Sequence, residues 1–181
     1  MKPLQLFSFA AAATVLVLMI INSAHAGPGF GLERAPGQPA CGSILLGVGD
    51  GISVTVSGDF SLWSLDPRES LSIKSGTVIV DAPDESSNWT VVLSCDSPSG
   101  QLTEYNGSQN IPYPRKISFP LRVRAEGGNT VDLPAGGELI SGQGDAAVSF
   151  SLEQRTSWYD QPLPDGRVYR MVVTFISSIE P

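Results

Sequence analysis

Apolar and polar side chains alternate every second residue through most of this sequence from position 43 onward. Ile52, Val54 and Val56 alternate with Ser53, Thr55 and Ser57. In an extended chain successive side chains point to opposite sides, so this is the pattern of a strand with one buried and one wet face. The same reading places further strands at 44–48, 60–65, 69–73, 77–80, 89–94, 117–125, 130–133, 148–153 and 168–176. Residues that bend the chain lie between them: Asp66-Pro67, Lys74-Ser75-Gly76, Ala82-Pro83-Asp84, Gly127-Gly128-Asn129, Ala135-Gly136-Gly137 and Pro164-Asp165-Gly166. Asp50-Gly51 fits a tight hairpin turn joining 44–48 to the strand that follows it. Outside the N-terminal apolar run, no stretch keeps helical spacing over three turns. About nine short strands with regular turns predict a single all-β domain over residues 43–181, an immunoglobulin-like β-sandwich.

Large apolar residues fall on one side of three strands: Val148, Phe150 and Leu152; Tyr169, Met171, Val173 and Phe175; Trp89, Val91 and Leu93. These predict central strands facing the core. Pro120 interrupts 117–125 and predicts an edge or a bulge there, because proline has no N–H for a ladder. The small polar stretch 96–110, ending in Ile111-Pro112-Tyr113-Pro114, reads as the longest loop.

The N-terminus has a different character. Lys2 gives a positive start, 10–21 is an apolar run, and Ala24-His25-Ala26 is a small-residue cleavage site, so residues 1–26 read as a secretory signal peptide. The alternative is an uncleaved anchor, since 4–21 is about the length at which a helix begins to span a bilayer. A flexible arm, 27–42, follows, with three prolines and four glycines between 27 and 40. The formal charge is -7. Loss of Lys2 with the leader makes it -8, with all 18 acidic residues kept. The basic residues are scattered apart from Arg115-Lys116 and the Arg122, Arg124 pair, which argues against nucleic acid as a partner.

The chain has a single histidine, His25, and it lies in the leader. A mature chain without imidazole has no Ser-His-Asp arrangement and no histidine zinc site, and two cysteines are too few for structural zinc. Paired carboxylates would suit a glycosidase, but most of the acidic residues occupy turns or polar faces. Asp81, Asp84 and Glu85 beside Ser86 and Ser87 form an oxygen-rich stretch of the kind calcium takes, though not an EF-hand loop, and a solvated turn explains it equally. The expectation is a protein that is not an enzyme and uses no metal or cofactor.

Cys41 and Cys95 have three readings in an oxidising compartment: an intramolecular disulfide first, a bridge between subunits second, free buried thiols third. Asn106 and Asn88 head N-x-Ser/Thr sequons and are candidate glycosylation sites. Trp63, Trp158, Tyr159 and Tyr113 are candidates for a sugar-stacking platform, with Trp158 and Tyr159 the most exposed pair by context.

Two segments, 75–94 (SGTVIVDAPDESSNWTVVLS) and 163–175 (LPDGRVYRMVVTF), resemble small exported β-sandwich surface proteins of methanogenic archaea, including those that build sheaths. The stretch 88–94 (NWTVVLS) and the closing β-strand are also similar to those of bacterial WxL cell-wall domains, although the chain lacks that family's pair of Trp-x-Leu motifs. The resemblance implies an extracellular structural protein that self-assembles into a layer, sheath or filament. Strand-edge contacts, with the arm added to a neighbour's sheet and Cys41 as a covalent lock, would supply the assembly. The alternative is a secreted monomeric module that binds carbohydrate or cell-wall glycan. Neither reading requires membrane insertion once the leader is gone.

Overall fold

The computed structural model describes residues 12–22 by their backbone pairing, and residues 51–179 apart from 61–62, 67–68, 108–110, 135 and 165. The described residues form eleven strands and no helix. These are β1 (Ala12–Asn22), β2 (Ser53–Gly58), β3 (Trp63–Ser64), β4 (Leu71–Asp81), β5 (Asn88–Cys95), β6 (Thr103–Tyr105), β7 (Arg122–Ala125), β8 (Thr130–Asp132), β9 (Glu138–Gln143), β10 (Ala146–Arg155) and β11 (Val168–Ile179). One sheet has the order β3-β1-β11-β5-β9, with β6 also paired to β11, and the other has the order β2-β4-β10-β7-β8. Neighbours are antiparallel, except for the two-residue parallel pairing of β1 with β3.

The inward faces follow the alternation in the sequence. Trp89, Val91 and Leu93 on β5 and Tyr169, Met171, Val173 and Phe175 on β11 are buried, as are Phe150 and Leu152 on β10, with Val148 packed partly against them. Burying each such side chain stabilises the fold by about 1.5–3 kcal/mol. Phe150 links the layers: its ring lies 5.8 Å from that of Phe60 and 5.3 Å from that of Phe175 on the opposite sheet. The chain is therefore the β-sandwich expected from its period, with β10 and β11 inside their sheets. Each large buried aromatic with a polar atom finds a partner for it. The Trp63 indole N–H donates to Ser72 Oγ at 2.7 Å, that of Trp89 to the Gly144 carbonyl at 2.6 Å, and the Tyr169 hydroxyl to the Gln161 carbonyl at 3.0 Å.

Several expectations need correction. Strands 69–73 and 77–80 are one strand, β4, and Lys74-Ser75-Gly76 is not a turn. Gly76 serves packing: a Cβ there would lie 2.5 Å from Phe60 Cζ, 2.7 Å from the Ser57 carbonyl and 2.8 Å from Phe150 Cε1. The strand expected over 117–125 is ordered only as β7, after Pro120, and β7 sits between β10 and β8, not at an edge. The residues before it are still core, since Ile117 and Leu121 are buried and their amides bond to the Leu102 and Gly100 carbonyls. Of the strand expected at 60–65, Trp63–Ser64 form β3, and 61–62 lie outside the described residues. The loop expected at 96–110 contains β6 and the fully buried Leu102. β9 was not expected at all: Leu139 and Ile140 are consecutive and both buried, because the β5–β9 ladder shifts register at Val91/Val92, and this breaks the alternation. The hairpin at Asp50-Gly51, the strand at 44–48 and the arm at 27–42 fall, in whole or in part, outside the described residues.

Candidate functional site

Two features stand out from the ordinary sandwich: an aromatic corner at one end and the seam between β11 and β1. The corner forms where the chain leaves β10 and returns to β11. Asp160, which is buried, organises it. Its Oδ2 accepts the Ser157 amide at 2.7 Å, and its Oδ1 accepts the Ser118 amide at 2.8 Å and the Ser118 hydroxyl at 2.5 Å. The Asp160 amide in turn donates to the Ser157 carbonyl at 2.9 Å. A carboxylate accepting three hydrogen bonds braces the segments that donate them. The tight turn it closes leaves Trp158 77% and Tyr159 89% exposed.

The segment carrying Tyr113 is tied to this loop. Tyr113 is fully exposed and has a left-handed backbone, φ 55°. Two residues on, the Arg115 guanidinium donates to the Pro162 carbonyl at 3.1 Å. Beneath both segments lies Glu104 of β6, also buried. Its Oε2 accepts the Arg115 amide at 3.0 Å and its Oε1 the Arg167 guanidinium at 2.6 Å. Burial alone would raise the Glu104 carboxyl, but the Arg115 amide and the Arg167 cation outweigh it and hold the group below its ordinary value. Trp63, by contrast, is core and takes no part in any platform. The bracing residues Asp160, Ser118 and Glu104 carried no sequence signal beyond a Ser-x-x-Asp spacing at 157–160, because each lies in a stretch that reads as polar loop.

The remaining candidates are simpler. Asp84 Oδ1 accepts the Ser86 amide at 2.9 Å and the Ser86 hydroxyl at 2.7 Å, which holds its carboxyl below the usual range. Asp81 accepts the Ser53 hydroxyl at 2.9 Å, so the two carboxylates serve a turn and a strand pair. Among the described residues no three His, Cys, Asp or Glu side chains gather to hold a metal ion. Asn88 opens β5 opposite Gln143, Asn106 follows β6, and both are exposed. Cys95 is a free, half-buried thiol placed 3.2 Å from the Ser97 carbonyl, and burial pushes its pKa up. Cys41 lies outside the described residues, so the structure shows no bridge between the two. A shallow depression of about 860 Å³ on the second sheet is lined by Ser57, Ser75, Thr77, Ser149 and Ser151, with Arg124 and Glu153 also on its wall.

The seam is the second feature. β11 pairs with β1 through ten consecutive positions, from Ala12 opposite Ser178 to Ile21 opposite Tyr169. On its other side β11 pairs with β5 and β6. The positions opposite the buried Tyr169, Met171, Val173 and Phe175 are Ile21, Met19, Val17 and Val15. β1 thus occupies a slot between β3 and β11, and its residues belong to the stretch that reads as a leader. No helix among the described residues is long and apolar enough to cross a membrane. Comparison with family models, curated proteins and solved structures finds no match for this chain.

Proposed function

We propose that this chain is a non-catalytic exported structural protein that assembles with copies of itself at the cell surface through strand-edge contacts. The observation that carries this reading is the β1–β11 ladder. If residues 1–26 are removed as a leader, one side of β11 from Tyr169 to Ser178 loses its partner. Unpaired N–H and C=O groups along an apolar strand are a template for another chain. The N-terminal arm 27–42 would supply reach, and Cys41 a thiol able to lock a contact once made. The resemblance to sheath-type surface proteins points the same way. Electron microscopy and light scattering of purified residues 27–181 test the reading. Ordered polymers are expected, and deletion of residues 27–40 should weaken or abolish them. A chain that stays monomeric at every concentration defeats the proposal.

A second reading is favoured by the exposure of Trp158 and Tyr159 on their braced loop. It is a monomeric module that stacks these rings on cell-envelope glycan. A monomer whose tryptophan fluorescence shifts on adding wall polysaccharide, and whose Trp158→Ala variant does not respond, is the outcome that would replace the first reading.

A further inference from the structure

We infer that the cleft between Leu71 and Phe119 binds a carboxylate-bearing sugar of the uronic acid class, with the Arg155 guanidinium as its receptor. The inference rests on the glycan-stacking reading of Trp158 and Tyr159, and names the chemical class of sugar that this end of the sandwich prefers. The cleft has a volume of about 470 Å³, within the range that small ligands occupy. It opens where β4 and β7 begin and β10 ends. Leu71 and Phe119, 43% and 36% exposed, give it apolar walls, and Arg122, Asp132, Glu153 and Arg155 give it charge. The walls are held in place. The Gln154 side-chain amide donates to the Phe119 carbonyl at 3.0 Å, and Asp160 grips the neighbouring Ser118. Thr156, next to Arg155, donates its amide to the Ser70 carbonyl at 3.4 Å, which fixes the chain at Leu71.

The two arginines of the cleft are not equivalent. Arg122 is taken up: its Nε and Nη2 donate to the two carboxylate oxygens of Asp132 at 2.7 and 3.2 Å, and Glu153 stands opposite it in the β10–β7 ladder. Among the described residues Arg155 has no carboxylate oxygen within 4.0 Å. It lies instead over the Phe119 ring, 5.1 Å from the centroid. Contact with an aromatic face limits the freedom of a guanidinium yet leaves its N–H fork available, so less is lost when a carboxylate takes it. One such guanidinium suits one carboxylate, and Asp132 and Glu153 beside it oppose a ligand carrying many negative charges. A sugar acid meets both conditions, because its hydroxyls donate to Asp132 and Glu153 while its carboxylate takes Arg155. Trp158 is three residues from Arg155, at most about 11 Å between Cα atoms, so one short oligosaccharide reaches both. The exposed Trp158 ring would then stack on a neighbouring sugar.

The test is a titration of the protein, followed by tryptophan fluorescence and calorimetry, with a short galacturonate oligosaccharide and with the same oligosaccharide as its neutral methyl ester. The acid is expected to bind about tenfold or more tightly than the ester, and its advantage should shrink as salt is raised. Arg155→Gln should bring the acid down to the level of the ester. Arg155→Lys should recover only part of the difference, because an ammonium lacks the planar fork. Both variants change an exposed side chain and should unfold in urea as the parent does. Trp158→Ala should weaken both sugars alike. Equal affinity for acid and ester, or an acid preference that survives Arg155→Gln, would overturn the inference while leaving the stacking reading standing. An acidic peptide that binds through Arg155 where the galacturonate does not would overturn it as well. Binding of neither sugar defeats both the inference and the stacking reading.

Discussion

Asp160 holds Ser118 across 42 residues of sequence, accepting both its backbone amide and its hydroxyl on a single carboxylate oxygen, Oδ1. This pair fastens the segment before β7 to the loop before β11, and the second oxygen closes the turn that displays Trp158 and Tyr159. Hydrogen bonds to a charged group contribute about 1.5–3 kcal/mol each when buried. Asp160→Ala is expected to lower stability by about 2–4 kcal/mol in urea unfolding, and to accelerate proteolysis between 156 and 164 before the rest of the domain.

The exposed rings themselves should contribute little to folding. Trp158→Ala and Tyr159→Ala are expected to change unfolding free energy by no more than about 0.5 kcal/mol, as exposed substitutions do. A loss above 1.5 kcal/mol would show that the rings pack against something in the folded monomer.

Glu104 gives the corner a pH dependence. Its carboxyl has a lower pKa folded than unfolded, so the stability it contributes is fully present above its ordinary value of 4.5 and is lost as pH falls through the lower folded value. Glu104→Gln should destabilise the domain at neutral pH by about 1–3 kcal/mol. The gap between variant and parent should narrow steadily in unfolding curves taken below pH 4.5. A constant gap would mean that the Arg167 pairing is not responsible.

Two glycines separate packing from backbone demands. Gly76→Ala pushes a methyl group to 2.5 Å from Phe60 Cζ and should cost about 1–3 kcal/mol or more. Gly127 has φ 71° with nothing within 4 Å of a built Cβ, so Gly127→Ala should cost about 1–2 kcal/mol from backbone strain alone. Combining Gly76→Ala with Phe60→Leu should recover part of the first loss and none of the second.

Alternation alone made the sandwich legible: the inward sets on β5, β10 and β11 follow directly from their apolar period. What stayed hidden has particular causes. Gly76 looks like a turn residue, yet its missing side chain is filled by the Phe60 ring, a neighbour 16 positions away that no local pattern reveals. β9 was masked by the register shift that buries Leu139 beside Ile140. At the aromatic corner Trp158 and Tyr159 were legible as exposed from their turn-rich context. Their supports were not, because Asp160 and Glu104 act through Ser118, Arg115 and Arg167, which only the fold brings near.

The long last strand also carries a mechanical consequence. β11 is bonded along both flanks, with rungs that lie across its axis. A tug along that axis loads these rungs together in shear, whereas a sideways pull would peel them one at a time. A fibre threaded through this strand would therefore resist stretching far better than it resists prying.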